Sequence, residues 1–196
     1  MKWEETLLIA FFPLAIMIVS AHALVFWPGV YEHFQTKEEV DLSHGVALTH
    51  SLLSYFTTSK YTLPDAELSN REAEHILDVK ILLHLLLAAS ALYLLVFLFS
   101  IDHINMTKVL LYGSSITLGL LALSTLIPFT TLFVFFHELF FTPGSWTFAS
   151  DSALIRAYPF GFFLRFASAI AGLAAGLCST LFAVTLYRTF MSKPLD

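Results

Sequence analysis

The sequence predicts an all-α, polytopic membrane protein with four transmembrane helices and a partly helical extracytoplasmic segment between spans one and two. Three observations carry this. Of its 196 residues 57% are hydrophobic and only 13% charged; its mean hydropathy is +0.76; and the apolar residues are gathered into four long runs. A helix needs about 20 apolar residues to cross a hydrocarbon core about 30 Å thick, and each run supplies them. Lipid offers no partner to a bare backbone group, so a continuous apolar run must close its hydrogen bonds as a helix. A membrane barrel would show short alternating segments instead.

The chain reads as a single membrane domain over residues 1–196, with spans at about 6–27, 79–101, 109–135 and 160–187. The first follows Lys2 and includes the small residues of "SAHA", as a cleaved leader would, but its apolar character continues through Leu24, Val25, Phe26 and Trp27, which predicts a retained anchor. The segment at 28–78 places Val46, Leu48, Leu52, Leu53 and Phe56 at helical spacing and so is expected to fold. Pro64, Asp65 and Asn70 supply turn and cap signals, and "SNREAEHILDVK" reads as a capped helix start running straight into span two. In span four, Gly172 and Gly176 have the four-residue spacing that lets helices approach closely, and packing within the bundle is the expected use.

Four spans put both termini on one side and the segments at 28–78 and 136–159 together on the other. Basic residues near the short connections, Lys2, Lys108, Arg188 and Lys193, place the termini in the cytoplasm. Trp3, Trp27, Trp146, Tyr31, Tyr158 and Tyr187 fall near span ends, where amphipathic rings anchor at the interface. A net charge of −5 argues against a nucleic-acid partner. The lone cysteine, Cys178, admits neither an internal disulfide nor a thiol metal site and reads as apolar filler.

Ionisable residues at membrane depth are costly and therefore informative. His22, His75, Asp78, His84, His137 and Glu138 stand out. On a helix the step from His75 to Asp78 sets the two about 60° apart on one face, so a carboxylate there is placed to orient the imidazole. His84 points the opposite way and lies roughly 13 Å deeper. His137 ends span three on the side where His75 opens span two, which brings two histidines to one depth. "FFHELFF" lacks the second histidine of an H-E-x-x-H zinc site, and no G-x-S-x-G elbow occurs. Histidine base catalysis at the lipid surface, without a metal or covalent nucleophile, is the acyl-transfer chemistry that remains.

"HILDVK", "FVFFHELFFTPGSW" and "LIRAYPFGFF", with "LLSYFTTSKYTLP" in the first external segment, together resemble the bacterial lipoprotein intramolecular transacylase family of small four-span membrane proteins. The resemblance implies a membrane acyltransferase that moves the sn-2 acyl chain of a diacylglyceryl-cysteine to the α-amino group of that cysteine, leaving a lyso-form lipoprotein. Diacylglyceryl-modified lipoproteins are then the substrate and membrane lipid the surroundings, at the extracytoplasmic face of the cell membrane. In that reaction His75 is the expected general base and Asp78 its orienting carboxylate. His137 then stabilises the oxyanion or returns the proton, the two histidines being interchangeable at this level. Arg71, Trp146, Arg156, Tyr158 and Arg165 are the expected substrate contacts. Two other classes stand beside this reading: a non-catalytic membrane subunit or sensor that binds a partner, and a haem or quinone subunit built on His22 and His84.

Overall fold

Helices account for every regular element among the residues that the computed structural model describes, 2–59 and 68–191. Pro64, Asp65 and Lys193, used above as turn or charge signals, lie outside them. In chain order the helices are α1 (Trp3–Val25), α2 (Pro28–Lys37), α3 (Leu42–Thr57), α4 (Asn70–Ser100), α5 (Met106–Ser124), α6 (Phe129–Phe140), α7 (Ala153–Ala157) and α8 (Phe160–Met191). Of these α1, α4, α5 and α8 are long and apolar enough to cross a membrane.

Local chemistry explains most of the boundaries. Pro28 opens α2 where its missing N–H costs nothing. Asp41, Asn105 and Ser152 cap α3, α5 and α7 by accepting from Ser43, Lys108 and Ile155 backbone N–H groups. Before α4, Ser69 and Glu72 form a reciprocal capping box: the Ser69 N–H donates to Glu72 Oε2 at 2.8 Å, and the Glu72 N–H to Ser69 Oγ at 3.3 Å. The helix then runs unbroken into the apolar stretch, as its sequence predicts.

The run at 109–135 differs from expectation. It is not one helix: α5 stops at Ser124 and α6 starts at Phe129. Pro128 has no N–H for the helical ladder and drives Ile127 away from helical backbone angles, so hydropathy stays continuous while the hydrogen bonds do not. The 12 residues of α6 extend only about 18 Å, too short to cross.

Backbone contacts sort the chain into two compact units. In the first, comprising Met1–Ala21, Leu86–Ile127 and Ile170–Asp196, Leu8, Ile9 and Phe12 of α1 pack with Val109 of α5 and Cys178 of α8. Gly113 permits this: a Cβ there would sit 2.5 Å from the Phe12 ring. Gly172 and Gly176, expected to serve that purpose, have nothing within 4 Å of such an atom. Their small-residue spacing leaves an open groove on α8 instead of a helix contact. Glu5 accepts from the Asn105 N–H at 2.8 Å, tying the start of α1 to the cap of α5.

The second unit, His22–Leu85 and Pro128–Ala169, has a core of Leu48, Leu52, Tyr55 and Phe56 from α3, Ile76 from α4, and Leu154, Ala157, Tyr158 and Phe162 from the C-terminal segment. Lys80 is buried yet compensated, because its Nζ donates to the Thr58 carbonyl at the end of α3 (2.8 Å) and lies 4.0 Å over the Tyr55 ring.

Candidate active site

All the residues singled out as a site fall in the second unit. The first turns of α4 and the end of α6 bring His75 and His137 together, with ring centroids 6.2 Å apart and planes within 25°. Both are 9% exposed. Their walls are aromatic: Phe141 meets the His75 ring edge-on at 4.8 Å, and Phe133 and Trp146 lie 4.1 and 4.7 Å from the His137 ring. A cavity of about 240 Å³ opens beside them, lined by His75, His137 and Trp146 at one part and by Tyr158, Phe56 and Phe163 at others.

The tautomer of His137 follows from its partner. Its Nδ1 lies 2.7 Å from the Phe133 carbonyl oxygen, and a carbonyl can only accept. Nδ1 therefore carries the proton, and Nε2 is left with its lone pair whenever the ring is neutral. Burial holds this imidazole below the ordinary 6.5, with the Phe133 bond pulling weakly the other way. His75 is less constrained: its Nδ1 is buried with no hydrogen-bond partner. Two charges on rings this close would repel in a poorly solvated site, so the pair holds one extra proton at most.

Polar contacts between distant parts of the chain hold these rings in place. Glu72, one turn before His75 and 2% exposed, accepts at its other oxygen from the Leu154 N–H at 2.9 Å. Arg71 donates to the carbonyls of Gly144 (2.7 Å) and Thr147 (3.2 Å), which flank Trp146. The turn it grips is Thr142-Pro143-Gly144-Ser145, closed by the Ser145 N–H on the Thr142 carbonyl, with Gly144 at φ +82°. Proline then glycine at the central positions is what a turn with positive φ at its third residue requires. Deeper in the unit, Gln35 Nε2 donates to Thr49 Oγ1 and to the Ala157 carbonyl, each at 3.2 Å. Thr49 spends its own proton on the Gly45 carbonyl, so Tyr158 must be the donor in their 2.9 Å contact.

The other expected site residues are placed differently. Asp78 is exposed, and no hydrogen bond joins it to His75; the 60° step carries it off the inward face. Arg71 braces the loop. Arg156 is exposed on α7, and Arg165 is paired with Glu38 at 2.6 Å. Trp146 and Tyr158 do line the cavity. His22 Nε2 donates to the Leu83 carbonyl at 3.1 Å and His84 Nδ1 to the Lys80 carbonyl at 2.8 Å, which occupies one ring nitrogen of each residue of the haem reading. Glu72, Gln35 and Thr49 were missed as site-building residues. The spacing of Ser69 and Glu72 was a readable signal for the first, whereas nothing local marks the other two.

A stacked, buried histidine pair beside an apolar cavity, one ring fixed as an acceptor, can take a proton from one atom and return it to another without solvent. The model of the family described as lipoprotein intramolecular transacylase Lit matches residues 5–163. The chain is also similar in fold to the solved membrane-integral lipoprotein intramolecular transacylase Lit of Bacillus cereus, at 23% identity over 96% of this chain and 97% of that one, with a TM-score of 0.74. Two further structures of the Bacillus cereus protein, with one histidine replaced by arginine or by alanine, match at 22% identity over 96% of this chain. They cover 93% and 94% of those chains, with TM-scores of 0.72 and 0.73. No curated protein matches at a significant level. The chain therefore belongs to the lipoprotein intramolecular transacylase family and is a multi-pass membrane acyltransferase.

Proposed function

We propose that the chain moves the sn-2 acyl group of a diacylglyceryl-cysteine to the α-amino group of the same cysteine, using His137 and His75 as proton carriers. The carrying observation is the tautomer of His137: with Nδ1 held on the Phe133 carbonyl, Nε2 is a ready acceptor. This favours His137 as base and His75 as the group that returns a proton, the reverse of the order the sequence suggests. The attacking nitrogen forms a bond to the ester carbonyl carbon and gives its proton to His137 Nε2. The tetrahedral intermediate then collapses, the bond to the sn-2 glyceryl oxygen breaks, and His75 protonates that oxygen. Proton return between the two rings restores the starting state.

Exchange of an ester for an amide is downhill, so the step consumes no nucleotide and needs no cofactor. A positioned base contributes about 10² to 10⁴ in rate. Holding amine and ester in contact within one molecule contributes as much as about 7–11 kcal/mol, which suits a site with few polar groups. The aromatic cavity accepts the migrating chain, with Tyr158 and Trp146 in its wall. The site faces the extracytoplasmic side, where lipoproteins carry their lipid, and both termini lie in the cytoplasm. Membrane lipid surrounds the protein, and nucleic acid has no part in the reaction.

Mass spectrometry of the N-terminal lipopeptide of a reporter lipoprotein tests this, in a host with and without the protein. The expected product is the N-acyl, S-monoacylglyceryl form, with conversion lowered at least about 10²-fold in His137→Gln and in His75→Gln. Full conversion by either variant would remove that histidine from the mechanism.

A further inference from the structure

Neutral histidines of this arrangement leave the reaction short of one group. Nitrogen attack pushes an electron pair onto the ester oxygen, and an apolar cavity does nothing for that charge. Until it takes the amine proton His137 Nε2 offers a lone pair and no donor, afterwards that proton is in transit to the leaving oxygen, and its Nδ1–H is committed to Phe133. His75 has its own N–H, but the leaving glyceryl oxygen needs it. A hydrogen-bond donor that keeps its proton throughout must come from elsewhere in the cavity wall.

Trp146 offers one. Its indole Nε1 is buried and has no hydrogen-bond partner, as is true of His75 Nδ1 in the same cluster. Buried indole N–H groups normally find an acceptor, and leaving one unpaired is costly. The ring packs 4.7 Å from that of His137 and lines the same cavity. Its backbone is held on both sides, because Arg71 grips the carbonyls of Gly144 and Thr147. The orphaned donor is thus both held in place and adjacent to the base.

We propose that Trp146 is a catalytic residue whose Nε1–H donates a hydrogen bond to the oxyanion of the tetrahedral intermediate, a role that rests on the histidine assignment above. The ester oxygen enters between the ring edges, takes up the unsatisfied N–H, and gains most from it when it carries charge. Trp146 neither gains nor loses a proton; it strengthens one hydrogen bond between ground state and transition state. The unpaired N–H of the free enzyme becomes paired only with substrate bound, so the desolvation cost is already spent when reaction begins.

The test is steady-state kinetics with a synthetic diacylglyceryl lipopeptide on purified full-length protein in lipid nanodiscs. Trp146→Phe keeps an aromatic ring and removes the N–H; kcat should fall about 10²-fold, with KM within about threefold. A second variant carries 3-benzothienylalanine at position 146, which keeps the bicyclic shape with sulfur in place of N–H, and it should be as slow as Trp146→Phe. Wild-type kcat in the benzothienyl protein means that ring shape alone matters and overturns the proposal, even if Trp146→Phe fails to fold. His137→Gln run alongside separates the two readings. An inactive histidine variant with a fully active benzothienyl protein sinks the tryptophan role alone, whereas a fully active histidine variant sinks the histidine assignment and this proposal with it.

Discussion

The two units use similar aliphatic and aromatic side chains to opposite ends. In the unit containing Leu86–Ile127, the Phe12 ring closes directly over Gly113, and Val109 and Cys178 retain no exposed surface. Among its buried polar residues, Thr117 satisfies its hydroxyl on the Gly113 carbonyl of its own helix. In the unit containing Pro128–Ala169, Phe133, Phe148, Phe162 and Phe163 stop short of closing and leave a cavity of about 240 Å³. Buried polar groups there reach far along the chain, Gln35 to Ala157 across 122 residues and Glu72 to Leu154 across 82. Where a ring closes directly over a glycine, as Phe12 does over Gly113, the result is scaffold. Where space is kept open by distant polar ties, and donors are left unpaired beside it, the result is a site.

Breaking the ties should therefore damage chemistry more than stability. Arg71→Met removes the grip on the Gly144 and Thr147 carbonyls while keeping the stem. The loop that carries Trp146 then loses its register, and kcat/KM should drop about 10- to 10²-fold, as misplacements of about 1 Å do. The unfolding midpoint should move only slightly, and a large midpoint loss with unchanged kcat/KM would place Arg71 in the scaffold. Gly113→Ala is the converse. Its added Cβ meets the Phe12 ring, and overpacking of this kind costs about 1–3 kcal/mol, so chemical denaturation in micelles should show a lower midpoint while kcat per folded molecule is unchanged. Loss of kcat at full stability would contradict the division between the two regions.

The smallest expected effect is in the pH dependence. Burial favours neutral His137, so the folded protein binds this proton less readily than the unfolded chain. The unfolded state then takes up more protons as pH falls through 6.5, and this group's contribution to stability, present above that value, is lost below it. The same depression keeps Nε2 available as a base, and the acid limb of kcat should fall below 6.5. A limb at or above 6.5 would mean that the base is another group or that the site is better solvated than its aromatic walls suggest. His137→Gln should flatten the stability slope in the same range.

Several features could be read from local residue order. The apolar runs, the Asp41 and Ser69 caps and the capped entry into α4 are each decided within a few residues. The meeting of His75 and His137 was legible one level higher, because alternating spans bring residues at matching ends to one depth. Asp78 was misjudged, since helical spacing states an angle between two side chains but not which of them faces inward. Gly172 and Gly176 were misjudged likewise: small residues permit a close approach without requiring one, and the close approach occurs at Gly113. Pro128 was visible throughout, yet its effect on the run at 109–135 was hidden by hydropathy, which measures side chains and is blind to the backbone ladder.

By itself the sequence determined an all-helical membrane chain, its capped entry into α4 and a pair of histidines at one membrane depth, because hydropathy, capping and turn chemistry act over a few residues. Only the tertiary structure decided that Arg71 braces a loop, that Glu72 and Gln35 hold distant segments, and that the Trp146 N–H has no partner. Those outcomes depend on which faces meet across 70 or more residues, and a hydrogen bond is made or left unmade only once both partners have been brought to within about 3 Å.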